Sequence, residues 1–322
     1  MLALGGCGGI ASSDAPQCSY FSNTCNFEAI DFTPSTPTLF ASVFPMRLTV
    51  QVGGTVTFTA DASLSGATFQ WRRSSDNGAT WADIPGATGD SYTLSGVQLP
   101  DDGARFRVEV TRGTASVASF SGRLTVSSMP GVVIADGEFK TADWMATASP
   151  SPSAGGPVES IERVPDDGDP GAYRRMVDVM STLPDSLRVL HVYQGGAYDP
   201  AIQGGVHAID YTEVCRVLAS KSTVTVRSAL LLEQDGRTYS LAPFACFVSG
   251  WHPLLPLSSL VAADFGQIAG PACPAGVACP DFSATALPMR FGYVRSTGQS
   301  AGTAPVTIEH HIDDWAVTVW RR

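Results

Sequence analysis

Thr68-Phe69-Gln70-Trp71-Arg72-Arg73, running into Ser74-Ser75-Asp76-Asn77-Gly78 and then Thr80-Trp81, decides how the chain folds. The first run alternates apolar and polar side chains at period two, the pattern of a strand with one buried face. Asn77-Gly78 predicts a hairpin, because both residues tolerate the positive φ that a type I′ turn demands. The same alternation recurs on either side. Arg47–Val52 leads through Gly53-Gly54 to Thr55–Ala60, and Asp101-Asp102-Gly103 precedes Arg105–Val110 and then Arg123–Val126. Roughly seven short strands in about 95 residues suit a Greek-key sandwich.

The whole chain reads the same way. Its 322 residues include 32 glycines and 22 prolines, a share that favours turn-rich β architecture over helices. At 44% hydrophobic content it can build real cores. No apolar run approaches the roughly 20 residues that span a bilayer as a helix. Net charge is −10, with 7 basic and 7 acidic residues over 34–127 against 13 basic and 20 acidic over 128–322. Nothing there would neutralise a phosphate backbone, so nucleic-acid partners are not expected.

Segment 34–128 resembles the bacterial immunoglobulin-like (I-set) family through Val52-x-Gly54, Trp71, the Asp76-Asn77-Gly78-x-x-Trp81 hairpin, Tyr92-x-Leu94 and Asp101-x-Gly103. The two positions that would hold the family's inter-sheet disulfide are Phe58 and Val108, and its corner tyrosine is Phe106. Trp71 should therefore pack on aliphatic and aromatic neighbours. The resemblance implies a spacer or adhesive module, and no catalytic constellation lies in it.

Met129-Pro130-Gly131 reads as a linker to a second domain, 129–322. Strands are expected at Leu187–Tyr193, Ser222–Glu233, Met289–Arg295 and Val306–Val319, with a hairpin turn at Gln234-Asp235-Gly236-Arg237. Helical periodicity is absent apart from a turn around 254–263, so one large sandwich is the economical reading. Asp136-Gly137-Glu138-Phe139 with Trp144, Tyr198-Asp199-Pro200 with Ile209-Asp210-Tyr211, and Arg290–Tyr293 with Ile312–Val319 resemble jelly-roll modules of the carbohydrate-binding or concanavalin/laminin-G-like kind. The expected fold class is thus all-β, an Ig-like sandwich followed by a larger jelly roll. In such modules the first and last strands often share a structural calcium; here its ligands would be Asp136, Glu138, Asp313 and Asp314, hard oxygen donors of the type calcium takes.

Leu4-Gly5-Gly6-Cys7 resembles the lipobox of bacterial lipoproteins, which implies lipidation of Cys7, a tether over 1–33, export, and membrane contact only through the anchor. The six remaining cysteines fall into local pairs, Cys18–Cys25, Cys215–Cys246 and Cys273–Cys279, although six allow 15 connectivities.

Glycoside hydrolysis needs two carboxylates across a cleft. Glu309, His311 and Asp313 share one face of a strand and form the chain's one acid–base cluster; a polar outer strand face is the plainer account of them. For binding, sugar rings stack on aromatics while amides and carboxylates fix the hydroxyls. Tyr193, Gln194, Tyr198 and Asp199 lie in one strand–loop stretch with that mixture, beside His191 and Gln203, and Trp251 sits next to a Pro-rich loop. The expectation is a non-catalytic surface protein that recognises a glycan or a cell-surface partner. Its rivals are a polysaccharide hydrolase or lyase and a structural envelope or filament component.

Overall fold

A computed structural model describes residues 39–149, 158–169, 171–180, 185–218, 224–246, 250–253, 257–299 and 306–322. Cys7 and the Cys18–Cys25 pair lie outside the described residues. The described residues are 61% strand and 5% helix, with their sheets stacked in sandwich fashion.

The smaller part contains β1 (Ala41–Phe44), β2 (Arg47–Gln51), β3 (Thr55–Ala62), β4 (Thr68–Ser74), β5 (Ala82–Asp83), β6 (Ser91–Ser95), β7 (Arg105–Arg112), β8 (Ala115–Ala118) and β9 (Gly122–Ser127). One sheet runs β1-β3-β6 and the other β2-β9-β7-β4-β5, with β8 on β7. Period-two burial is plain in β7, where Phe106, Val108 and Val110 are buried and the residues between them are not. Trp71, Phe58, Phe106 and Val108 are fully buried together, and Phe58 stacks on Phe106 at 4.9 Å. The Trp71 indole N–H donates to the Gly89 carbonyl at 3.0 Å, so no polar atom of the ring is orphaned. The Asn77-Gly78 hairpin is wider than a type I′ turn. Arg73 pairs with Ala82, so the loop is 74–81, and Asp76 shapes it by accepting the Thr80 N–H at 2.9 Å.

The larger part contains β10 (Val132–Asp136), β11 (Trp144–Ser149), β12 (Val158–Gly168), β13 (Gly171–Met180), β14 (Asp185–Tyr193), α1 (Pro200–Gln203), β15 (Val206–Val217), β16 (Val224–Gln234), β17 (Arg237–Ser240), β18 (Phe244–Cys246), β19 (His252–Pro253), β20 (Leu257–Leu260), β21 (Gly266–Ala269), β22 (Met289–Gln299) and β23 (Val306–Arg321). One sheet runs β12-β13-β23-β15-β19 and the facing one β11-β14-β22-β16-β17-β21. The predicted turn at 234–237 is a two-residue hairpin, with φ of 54° at Asp235 and 68° at Gly236. Helix α1 was not anticipated. Its signal was present in Asp199-Pro200: Asp199 caps by accepting the Ala201 N–H at 3.0 Å, and proline occupies the first turn.

Strand β23 is the spine of this part. β13 pairs with its first half and β10 with its second, while β15 runs along its other edge. A bulge interrupts it. Asp314 takes φ of 47°, and the β15 register slips between Thr212 and Val214. One extra residue flips the phase of alternation. Ile308, His310 and Ile312 face inward before the bulge, and Trp315, Val317 and Val319 face inward after it.

Residues 39–322 form one compact unit. Across its seam Thr49 Oγ1 bonds Asp210 at 3.1 Å and Ser259 at 2.8 Å, Arg47 meets Asp264 at 2.9 Å, and His207 meets Asp102 at 3.2 Å. The expected linker is fixed as well: Ser127 Oγ bonds the Met129 and Arg321 carbonyls, and the Arg321 guanidinium donates to Pro130 O.

Candidate functional site

Before the bulge, the residues of β23 that face away from the core meet those of β13 and β15. Arg175 binds both oxygens of Glu309, at 2.7 and 2.8 Å, and reaches Glu162 at 2.6 Å. His311 Nε2 lies 2.9 Å from Glu309 Oε1, and Arg216 Nε lies 3.1 Å from His311 Nδ1. A guanidinium only donates, so Nδ1 accepts and the proton sits on Nε2, facing Glu309. Around this chain lie two further rings. Tyr173 is 4.7 Å from His311 and 5.2 Å from Trp251, and the Arg216 guanidinium covers Trp251 at 4.6 Å. Trp251 keeps part of its surface in solvent, whereas Tyr173 and His311 are buried beneath it.

The electrostatics of this face suit holding more than proton transfer. The paired hydrogen bonds from Arg175 bring the Glu309 carboxyl down to about 2, so it stays ionised at any ordinary pH. Burial brings His311 down to about 4, so it stays neutral, and both its nitrogens are engaged. Neither is set up as an acid or a base near neutrality. Asp313 stands apart from them. One oxygen accepts the Asp314 N–H at 2.8 Å and the other the Asp169 N–H at 2.5 Å, so it braces the β12–β13 turn against β23.

The calcium candidates are spread over separate duties. Asp136 Oδ1 accepts the Glu138 and Phe139 N–H groups at 2.8 and 3.0 Å, and Oδ2 accepts the Trp144 indole at 2.6 Å. Glu138 pairs with Arg163 at 3.0 Å. Asp314 is the exposed bulge residue. Among the described residues, no three of these four bring their ligand atoms within 4.8 Å of one another.

The stretch proposed for sugar binding is largely structural. Tyr198 is fully buried and donates to the Gly204 carbonyl at 2.7 Å. Asp199 caps α1, Tyr193 lies 5.4 Å from Trp315, and Gln194 accepts from Arg290 at 2.8 Å. Trp251 alone joins a surface cluster.

Sequence reasoning missed what lies between the two sheets. On seven strands a polar inward residue sits two positions from an apolar one: Glu159 beside Ile161, Asp178 between Met176 and Met180, and His191 between Tyr193 and Val189. The others are Glu213 between Tyr211 and Cys215, Ser228 between Leu230 and Val226, Arg295 after Tyr293, and His310 between Ile312 and Ile308. These residues form a polar belt across the sandwich and divide its core in two. Glu213 accepts from Tyr211 and, at 2.8 Å, from Ser228, and lies 3.5 Å from Arg295. His310 meets Asp178 at 2.9 Å. Burial, reinforced by the charge of Asp178, pushes Glu159 up to about 8, and burial drives His191 well below its ordinary range. The signal was legible as single polar residues interrupting runs such as Met176-x-Asp178-x-Met180.

Cys215 and Cys246 border the belt. Their side chains hydrogen-bond to each other and carry no disulfide, so the expected pair is brought together as thiols. Arg295 donates to Cys246 Sγ at 2.8 Å. Cys273–Cys279 is a disulfide.

A family model described as a domain of unknown function (DUF8696) matches residues 45–130, which is the smaller part from β2 onward. No curated protein matches the chain. Among solved structures 1097 chains match. One, from work on the structural basis of T cell specificity and activation by the bacterial superantigen toxic shock syndrome toxin-1, is 14% identical and covers 28% of this chain and 99% of its own. Its TM-score of 0.24 carries no argument about fold or function.

Proposed function

We propose that this chain is the recognition part of an exported bacterial surface protein, in which an immunoglobulin-like spacer carries a jelly-roll module that binds neutral glycans without catalysis. One observation carries the reading: Trp251 rests on Tyr173, His311 and Arg216 with part of its ring still exposed. An indole fixed from below by two rings and a guanidinium loses little freedom on stacking against a sugar face. The cations beside it are already matched, Arg175 by Glu309 and Glu162 and Arg216 by its approach to Asp167 at 4.0 Å. This favours an uncharged sugar over an acidic one. Hydrolysis is disfavoured because Glu309 is held ionised and His311 has no nitrogen to spare. Export and lipidation at Cys7 rest on the lipobox resemblance and on the Cys273–Cys279 disulfide, which suits an oxidising compartment.

The test is a glycan array probed with the full chain and with Trp251→Ala, each first shown to be folded by its melting curve. The expected result is binding by the parent and at least a tenfold loss in the variant, about 1.4 kcal/mol. A parent silent across the array, or a variant that binds equally well, overturns the proposal.

A further inference from the structure

We propose that Glu159, Asp178 and His310, in the polar belt of the larger sandwich, bind one divalent ion of the zinc class. One ligand atom from each lies within 4.8 Å of the other two. Glu159 and Asp178 stand directly opposite each other on β12 and β13, and His310 reaches them from β23. Two carboxyl groups facing each other across a strand pair repel when ionised, and in a dry layer that repulsion is relieved either by protonation of one of them or by a cation between them. Donors bound to tetrahedral zinc at 2.0–2.2 Å stand about 3.4 Å apart. His310 Nε2 and Asp178 Oδ2, at 2.9 Å, are close to that spacing already.

A second observation is independent of the cluster. Glu159 Oε1, Asp178 Oδ1, His310 Nδ1 and His191 Nε2 are buried without a hydrogen-bond partner among the described residues. His191 comes from the facing sheet, is fully buried, and aims Nε2 at Glu159 Oε1 from 3.5 Å. Arg174 approaches its other nitrogen at 3.5 Å and so turns Nε2 toward the cluster. That is the arrangement by which an outer residue orients a ligating carboxylate. Orphaned buried atoms cost about 1–3 kcal/mol each; an ion held through His310 Nε2 would engage the two carboxyl groups, while His310 Nδ1, on the far side of the ring, is not relieved by it. One imidazole with two carboxylates suits zinc, manganese or iron(II) better than calcium, which prefers all-oxygen sites. The other compact group, Glu213 with Cys215 and Cys246, is less suited, because the Arg295 guanidinium already donates to Cys246 and approaches Glu213.

The experiment titrates chelator-stripped full chain with Zn2+, Mn2+ and Ca2+ by calorimetry, with metal content measured by elemental analysis after gel filtration. The expected result is one equivalent of Zn2+ and a raised melting temperature. Co2+ loaded instead should show d–d bands without the near-ultraviolet thiolate charge transfer that the cysteine group would give. Glu159→Gln replaces a buried carboxyl with an amide of the same shape; it should melt like the stripped parent and bind Zn2+ at least tenfold more weakly. Cys246→Ser should bind as the parent does. No zinc uptake by the folded parent, unchanged affinity in Glu159→Gln, or a thiolate band would each overturn the assignment.

Discussion

Replacing Asp136 separates a structural account of the opening strand from a calcium account. Its two oxygens accept three donors: the Glu138 and Phe139 backbone N–H groups and the Trp144 indole. Phe139 has φ of 48°, so the carboxylate holds a turn that the backbone alone does not favour. Asp136→Ala leaves all three donors without an acceptor. At about 1–3 kcal/mol each, with the Glu138 amide nearest solvent and at the low end, the loss is about 3–6 kcal/mol. Asp136→Asn keeps one carbonyl oxygen for the two amides but turns an NH2 toward the indole N–H, so it should lose about 1–3 kcal/mol. In melting temperature the alanine variant should fall by about 6–24 °C, at roughly 2–4 °C per kcal/mol for a protein of this size. Urea denaturation and thermal melts of both variants, with and without EGTA, make the assay. The reasoning fails if Asp136→Ala costs under about 1 kcal/mol. It fails equally if EGTA destabilises the parent and this effect disappears in Asp136→Asn, for the oxygens would then be holding an ion.

Three further outcomes follow from the same structure. Cys215 and Cys246, already in contact, should be joined in chain recovered from an oxidising compartment, and their loop should then contribute about 3–4 kcal/mol. Intact mass with and without reductant, after alkylation, would show both cysteines blocked from the reagent, and full alkylation without reductant would refute this. Gly168→Ala should destabilise strongly, because a Cβ there would collide with Asp313 Oδ2 and come within 2.6 Å of the Gly171 carbonyl; a melt within 2 °C of the parent, under about 1 kcal/mol, would remove Asp313 as the brace of that turn. At the seam, burial raises the Asp102 carboxyl, but the hydrogen bonds of His207 and the Val126 N–H outweigh it and leave it below its ordinary value. A lowered carboxyl stabilises above its unfolded pKa of about 3.9 and loses that contribution as pH falls through the folded value. The gap in urea stability between parent and Asp102→Asn, under about 1 kcal/mol at this partly exposed site, should therefore hold at neutral pH and close below about pH 4; a gap that widens there refutes the pairing.

Much of the fold was legible because a strand writes its burial into alternate residues. Trp71, Phe58 and Phe106 announced a core, and Asp235-Gly236 announced its turn from the conformations those residues tolerate. The candidate sites were less legible, for reasons seen in particular residues. Tyr198 and Asp199 have the chemistry of a sugar site, yet one supplies a buried hydroxyl to Gly204 and the other a helix cap. Asp136 and Asp313 are acids spent on backbone amides. Trp251 found Tyr173 and Arg216, which lie far from it in sequence, and no local pattern reports such a meeting. Asp314 looked like one more acid on a strand, whereas its positive φ reverses which face the second half of β23 buries.

The belt explains a feature of register that alternation leaves open. A strand that slips by one residue turns its apolar face to water, so odd slips are strongly opposed. A slip by two keeps every apolar residue inward and costs little in an all-apolar core. Here it is expensive. Moving β13 by two places Asp178 where Met176 or Met180 now packs, and moving β23 by two sends His310 into the layer of Ile308 or Ile312. An ion taken out of its network costs several kcal/mol. Seven strands carrying a polar residue at one level thus fix each other along the strand axis as well as across it. Register and metal binding make different demands on the same residues. Register requires a polar group at the level, which glutamine at 159 supplies, whereas an ion requires an anionic oxygen there, which glutamine lacks. A Glu159→Gln chain that folds in register and loses zinc would show that the belt serves both ends; one that misfolds would tie Glu159 to register first.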